Sequence, residues 1–417
     1  MTSKRVVVTG LGSLTPIGNT ISAYWNGLLS GISGAAPITR FDASKFKTQF
    51  ACEVKNFDPL SFVDKKEARK VDPFVHYAIA TSDEAVADSG IDTAKINPER
   101  IGVIWSSGIG GITSFYNEVS EFAKGDGTPR FSPFFIPKVI VDIAAGHISM
   151  RFGFRGPNYA TVSACASSTH GLLDAFNLIR YGKADIILAG GSEAAVNEPG
   201  IGGFNALHAL STRNDSPETA SRPFDKDRDG FVLGEGAGAI ILEELEHAKA
   251  RGAKIYAEML GGAATADAYH LTAPHPEGLG AMNVMKLSLE DAGLKPEDID
   301  YINVHGTSTP LGDIAETLAI KKVFGEHAYQ LNISSTKSMT GHLLGAAGAI
   351  ESIASILAIQ HDTIPPTINH FTDDPEVDPK LQLTFHHPVK RTVRAAISNT
   401  FGFGGHNASV VFGKYIP

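Results

Sequence analysis

A chain of 417 residues with 43% hydrophobic and 19% charged residues has the balance of a compact α/β enzyme, which excludes an extended disordered chain. A formal net charge of −9 opposes general nucleic-acid binding, because neutralising phosphate needs a basic surface. With only Cys52 and Cys165, neither a disulfide scaffold nor a cysteine zinc site has a basis, metal chemistry is not indicated, and a reducing compartment suits a working thiol.

Residues 1–4 lead straight into the apolar run Val6, Val7, Val8 with no signal peptide. No stretch approaches the roughly 18 apolar residues of a membrane span, so a cytoplasmic chain or a mature organellar form is expected. Strand-like runs at 5–9, 101–105, 159–162 and 186–189 alternate with helical patterns, which predicts parallel α/β layering. Between the first two, Lys66, Arg69 and Lys70 share one face if 65–70 is helical, giving either a solvated face or a dock for an acidic partner. A better punctuated helix follows: Asp72 caps it, Pro73 suits its first turn, Asp83, Glu84 and Asp88 mark a polar face, and Gly90 stops it. From 166 to 181, Leu172, Leu173, Phe176 and Ile179 recur at helical spacing, and Gly182 closes the element.

A second series of strands at 255–260, 299–305, 332–335 and 395–399 resembles the first. Two related halves are expected, 1–252 and 253–417, fused without a linker into a single body spanning 3–415.

Cys165 stands where a β-prone stretch gives way to a helix, so unpaired N–H groups and the positive end of the helix dipole are expected to favour its thiolate. Small neighbours (Ser163, Ala164, Ala166, Ser167, Ser168) leave room for a substrate. An attacking thiolate needs an oxyanion hole: the N–H of Cys165 is one donor, and that of Phe403, freed by glycines in the loop Phe401-Gly402-Phe403-Gly404-Gly405, is the other. The ring of Phe403 is expected to gate the approach to Cys165.

His305 ends an apolar strand and His342 closes the run Thr-Gly-His; each taken alone is as well read as a core histidine. Together with Cys165 they suggest acyl chemistry on sulfur, in which two neutral imidazoles donate to a thioester oxygen and stabilise the enolate left when a malonyl thioester loses carbon dioxide. Lys337, set among small residues, is expected to be buried and paired with Glu351, since an unpaired buried ammonium would cost several kcal/mol. Thr307 and Thr309 are candidate hydroxyl contacts for a polar substrate arm, or turn residues.

These segments resemble the β-ketoacyl-[acyl-carrier-protein] synthases of the condensing-enzyme family, on the side of the type II elongation enzymes of fatty-acid synthesis. The likeness runs nearly end to end and rests on Val-Thr-Gly-Leu-Gly at 8–12, Ala164-Cys165-Ala166-Ser167, Ser221-Arg222-Pro223-Phe224-Asp225, Asp229-Gly230-Phe231-Val232, both histidine segments and the 401–405 loop. It implies a thiolase fold, two duplicated halves forming a five-layer αβαβα body, as a homodimer. It also implies a ping-pong acyltransferase: acyl carrier protein loads Cys165, and malonyl carrier protein is decarboxylated under His305 and His342. The product is a 3-oxoacyl chain two carbons longer, and the only cofactor-like group is the 4′-phosphopantetheine borne by the carrier.

By the same matching Lys337, Glu351, Phe401, Gly402, Gly404 and Gly405 support the site, and Thr307 and Thr309 contact the pantetheine arm. Ile109 lines the acyl pocket, and Lys66, Arg69 and Lys70 greet the acidic carrier. His406 departs from the threonine many bacterial relatives carry there. A thiolase would need a second cysteine in the glycine loop, and a non-catalytic chain-length partner would lack the nucleophile. A type I or polyketide-type ketosynthase is the alternative.

Overall fold

The computed structural model describes residues 3–417. Its centre is a ten-stranded sheet: β1 (Val6–Leu14), β2 (Ile101–Ser106), β3 (Asn158–Tyr159), β4 (Ile186–Glu193), β5 (Gly236–Glu244), β6 (Ala257–Ala266), β7 (Tyr301–Asn303), β8 (Asn332–Ser334), β9 (Ala395–Gly402) and β10 (His406–Gly413). The spatial order is β8-β7-β9-β10-β6-β1-β5-β4-β2-β3. Each strand of β1–β5 therefore has a counterpart five strands later, and the halves meet where β1 pairs antiparallel with β6 over Val6–Val8.

The sheet is mixed, which corrects the purely parallel expectation. Pairs β2–β3, β2–β4, β7–β8 and β7–β9 are parallel, whereas β5 and β10 run antiparallel to both neighbours. β5 and β10 went unforeseen; β5 opens Gly-Ala-Gly-Ala, of low strand propensity, and is held by burial on both faces.

The helices that build the layers around the strands include α1 (Pro73–Ser89), α2 (Ser167–Arg180), α3 (Leu279–Ala292), α4 (Pro310–Phe324) and α5 (Ala347–His361). α1 covers β1, β4 and β5 from outside; α3 covers β6 and β10, with α4 against it. Between the halves lie α2 and α5, touching each other and strands of both, which completes five layers. Central position explains why α5 is buried on every side up to Ile359. Residues Leu344–His361 are, by length and composition, apolar enough to cross a membrane, contrary to the sequence expectation, but 89% of this stretch is buried in the core.

Capping follows the local signals. Asp72 accepts the N–H of Phe74, Pro73 occupies the first turn, and Gly90 ends α1 at φ 64°. The expected polar face is not simply solvated. Glu84 accepts the N–H groups of Ser13 and Ile21, and Asp88 that of Leu11, tying α1 to β1 beside its bulge at Val8–Gly10.

Candidate active site

Strand β3 stops at Tyr159, and the chain turns before α2, so the strand expected through Val162 does not form. The turn needs a left-handed residue, Ala164 at φ 50°. Its small neighbours hold it: Ser167 Oγ donates to Ala164 O and accepts the N–H of Ser163, while Ser168 Oγ accepts the N–H of Ala349 at the start of α5. Cys165 sits at this elbow, one residue ahead of the Ala166 cap. It is 8% exposed.

The thiolate expectation needs correction. Burial pushes the Cys165 thiol up to about 12, outweighing the pull of the Lys337 charge and the Phe403 N–H directed at the sulfur. The resting side chain of Cys165 is a thiol.

Loop 401–405 reaches Cys165 because β9 and β10 form a hairpin, Gly402 opposite His406. Only glycine fits at 402, where a Cβ would lie 2.8 Å from Ser163 O and 3.2 Å from Cys165 N. That close approach brings the Phe403 N–H onto the sulfur beside the Cys165 backbone, as the two-donor oxyanion hole requires. The Phe403 ring stands 6.4 Å from Phe204 at the cavity wall, and the Phe401 ring 5.6 Å from His305. Gly404 adjoins the ring of the exposed His406.

His305 follows β7, and its N–H and that of Gly306 donate to the carboxylate of Glu316 on α4. His342 is fixed by its backbone: its N–H donates to Val232 O and its carbonyl accepts from Gly234 N. The motif at 229–232 therefore serves as the rail for His342, with Phe231 edge-on to its ring at 5.3 Å. The His305 and His342 rings lie 5.2 Å apart at 87°. Burial, reinforced by the Lys337 charge, holds both well below the usual histidine range, so both are neutral donors.

Lys337 and Glu351 form the expected ion pair, Nζ to Oε1 2.5 Å, each side chain 1% exposed. Removing one partner leaves an uncompensated buried charge. Lys337→Met is therefore expected to lower unfolding stability by about 3–5 kcal/mol, and Lys337→Met with Glu351→Leu to regain most of it without regaining activity. Urea unfolding of the two variants checks this; equal loss in both would contradict it.

Cys165, His305, His342, Phe403, Thr307 and Thr309 all line one cavity of about 420 Å³. Thr307 and Thr309 hydroxyls lie 3.1 Å apart along its wall. Ile109 is not in that lining: its N–H is bound to Glu193 and its side chain is 36% exposed. Lys66, Arg69 and Lys70 are not in the lining of that cavity. The helix there covers only Lys65–Ala68, shorter than expected; Lys66 and Arg69 are exposed, and Lys70 pairs with Glu67 at 2.5 Å.

Among the buried carboxylates that escaped the sequence reading, two hold the backbone of the site. Glu193, at the end of β4, accepts Ser107 Oγ and the N–H groups of Gly108, Ile109 and Gly345, so one side chain joins the 107–109 loop to the segment after His342. Glu316, pushed by burial to about 7, also accepts Asn399 Nδ2. Their only signal was an acid inside an otherwise apolar strand or helix face. The Ser221–Asp225 motif braces the same region: Arg222 N–H donates to Ser308 Oγ and Phe224 N–H to Asp313.

A buried thiol facing an N–H donor, with two neutral imidazoles in the same cavity of a duplicated five-layer fold, defines a cysteine acyltransferase of the condensing type. The chain belongs to the β-ketoacyl synthase family: residues 3–248 match the family model "Beta-ketoacyl synthase, N-terminal domain" and residues 256–371 "Beta-ketoacyl synthase, C-terminal domain". It is 51% identical to the 3-oxoacyl-[acyl-carrier-protein] synthase 2 of Synechocystis sp. (99% of this chain, 98% of the relative) and 50% identical to that of Coxiella burnetii (99% of both). Among solved structures it is similar to the ishigamide ketosynthase/chain length factor (TM-score 0.93, 34% identity, 100% of both chains covered). A type II PKS acyl-carrier protein in complex with its ketosynthase matches with a TM-score of 0.91 at 34% identity, again over 100% of both.

Proposed function

We propose that this chain catalyses decarboxylative condensation of an enzyme-bound acyl group with malonyl-[acyl-carrier-protein], as a 3-oxoacyl-[acyl-carrier-protein] synthase of the type II elongation kind. The single observation that carries the reading is the convergence of Cys165, His305 and His342 on one cavity. Identity near 50% to synthase 2 relatives against 34% to the type II PKS ketosynthase favours fatty-acid elongation over the polyketide-type alternative.

In the first half-reaction the Cys165 sulfur attacks the acyl thioester carbonyl while its proton passes to the departing carrier thiolate. The N–H groups of Cys165 and Phe403 hold the oxyanion. In the second, the malonyl C–C bond breaks, carbon dioxide leaves, and the electron pair becomes an enolate whose oxygen accepts from His305 and His342. Its carbon then attacks the acyl-enzyme carbonyl, the tetrahedral oxyanion collapses, and the C–S bond to Cys165 breaks. The sulfur leaves as a thiolate and takes up a proton from solvent. Because decarboxylation generates the carbanion, no base for a C–H proton is needed.

The chain works without a cofactor of its own beyond the phosphopantetheine carried by its partner, in the cytoplasm or an organelle, where Cys52 and Cys165 stay free. It acts as one body of two halves divided near Gly252. Ile109 serves the acyl pocket within a homodimer. The support is the open edge strand β3 together with exposed apolar side chains, Met150 on the helix that packs on it and Val162 just after it, a surface suited to a second copy.

The test supplies acyl carrier protein with either malonyl or acetyl partner thioester. A product two carbons longer is expected with malonyl alone; equal turnover of acetyl thioester would indicate a proton-abstracting thiolase instead. Docking is separable: Lys66→Glu with Arg69→Glu is expected to weaken carrier binding about tenfold at low salt and less at high salt. Unchanged low-salt binding would move the dock elsewhere.

A further inference from the structure

One oxyanion donor lies on the Cys165 elbow and the other on a loop from the opposite half, so a group that touches both fixes their separation. Loop 401–405 is held on one side by residues 267–271: Gly404 N–H donates to Leu271 O, Asp267 N–H to Gly405 O, and Asn407 Nδ2 to Asp267 Oδ1. Its other side faces α2. Thr400 Oγ1, at the stem before the loop, donates to Thr169 Oγ1 at 2.8 Å. After the loop comes His406, and the next residue of α2, His170, meets it.

The His170 and His406 rings stand 6.4 Å apart at 86°, an edge-to-face arrangement. His406 also lies over Gly404, where a Cβ would come within 2.9 Å of Nε2. On its other nitrogen, His170 Nδ1 meets Ser163 Oγ at 2.6 Å, two residues before Cys165, and Ser163 O is the atom against which Gly402 packs. Burial, and then the neighbouring His406, lowers the His170 imidazole from its ordinary range against the opposing pull of Asp174. Ser163, His170 and His406 all stand outside the cavity lining, so their action on the reaction is indirect. We propose that His170 is a positioning residue for the oxyanion hole, its ring bracing the Cys165 elbow through Ser163 and the glycine loop through His406. The inference rests on the proposed function and confines the brace to the steps at the acyl carbonyl, because His305 and His342 have their own supports in Glu316 and Val232.

The test measures, side by side on the full chain, acyl transfer from carrier protein to Cys165 and carbon dioxide release from malonyl carrier protein. His170→Ala is expected to slow acyl transfer about 10- to 10²-fold, less than deletion of an oxyanion donor because both N–H groups remain, and carbon dioxide release by less than about twofold. His406→Ala, at an exposed position where folding tolerates truncation, is expected to slow acyl transfer about fivefold, the worth of one aromatic contact. His170→Asn keeps a polar atom for Ser163 but has no ring for His406, so its loss should match that of His406→Ala, and the two combined should cost no more than either alone. A role confined to folding would lower both rates together. Equal losses of the two rates in His170→Ala, or acyl transfer unchanged in His406→Ala, overturn the brace. A wild type that neither accepts the acyl group nor releases carbon dioxide overturns the proposed function instead.

Discussion

Cys165→Ala is expected to reduce transfer of a radiolabelled acyl group from carrier protein to enzyme to background, a fall of at least about 10⁴-fold. The only other thiol gives no substitute. Cys52 is 1% exposed, burial pushes its thiol up to about 12, and it packs against Gly341 outside the cavity. Malonyl decarboxylation should persist in this variant, because the groups that stabilise the enolate, His305 and His342, are intact. Label found on another residue would remove Cys165 as the nucleophile.

His305→Ala and His342→Ala are each expected to slow malonyl decarboxylation by about 10²–10³-fold, the usual cost of deleting one donor to a developing oxyanion. Acyl loading should fall much less, since the donors to that oxyanion are the backbone N–H groups of Cys165 and Phe403. With both rings 5.2 Å apart and meant for one oxygen, the double variant should lose less than the product of the single losses. Equal losses in loading and decarboxylation would contradict the division of labour. The Lys337 charge depresses both imidazoles, so Lys337→Met should also make them more basic, visible as a shift of their NMR titrations to higher pH.

The parts legible in the sequence were those specified by neighbouring residues. Asp72, Pro73 and Gly90 delimit α1 in the structure as they do on paper, and the apolar spacing from Leu172 to Ile179 marks α2. Cys165, His305, His342 and the Lys337–Glu351 pair could be chosen because each chemistry-bearing side chain stands among small or apolar residues that give it no other purpose. Ile109 could not be placed that way, and its side chain does not reach the cavity of this chain.

What escaped were groups whose partners are remote. Glu193 meets Gly345 across 152 positions, and the His342 backbone depends on Val232 and Gly234. The resting protonation state of Cys165 was misjudged for the same reason: the helix start is local, but the burial that raises the thiol comes from packing by both halves.

By itself the sequence determined the α1 and α2 boundaries, the donor-rich glycine loop and the choice of candidate reacting groups, because capping, periodicity and residue chemistry act over a few positions. Only the tertiary structure decided the mixed strand directions, the burial of α5, the neutral state of thiol and imidazoles, and the meeting of residues 165, 305, 342 and 403. Desolvation and long-range packing are properties of the space between segments, and that space exists only once the two halves have closed on α2 and α5.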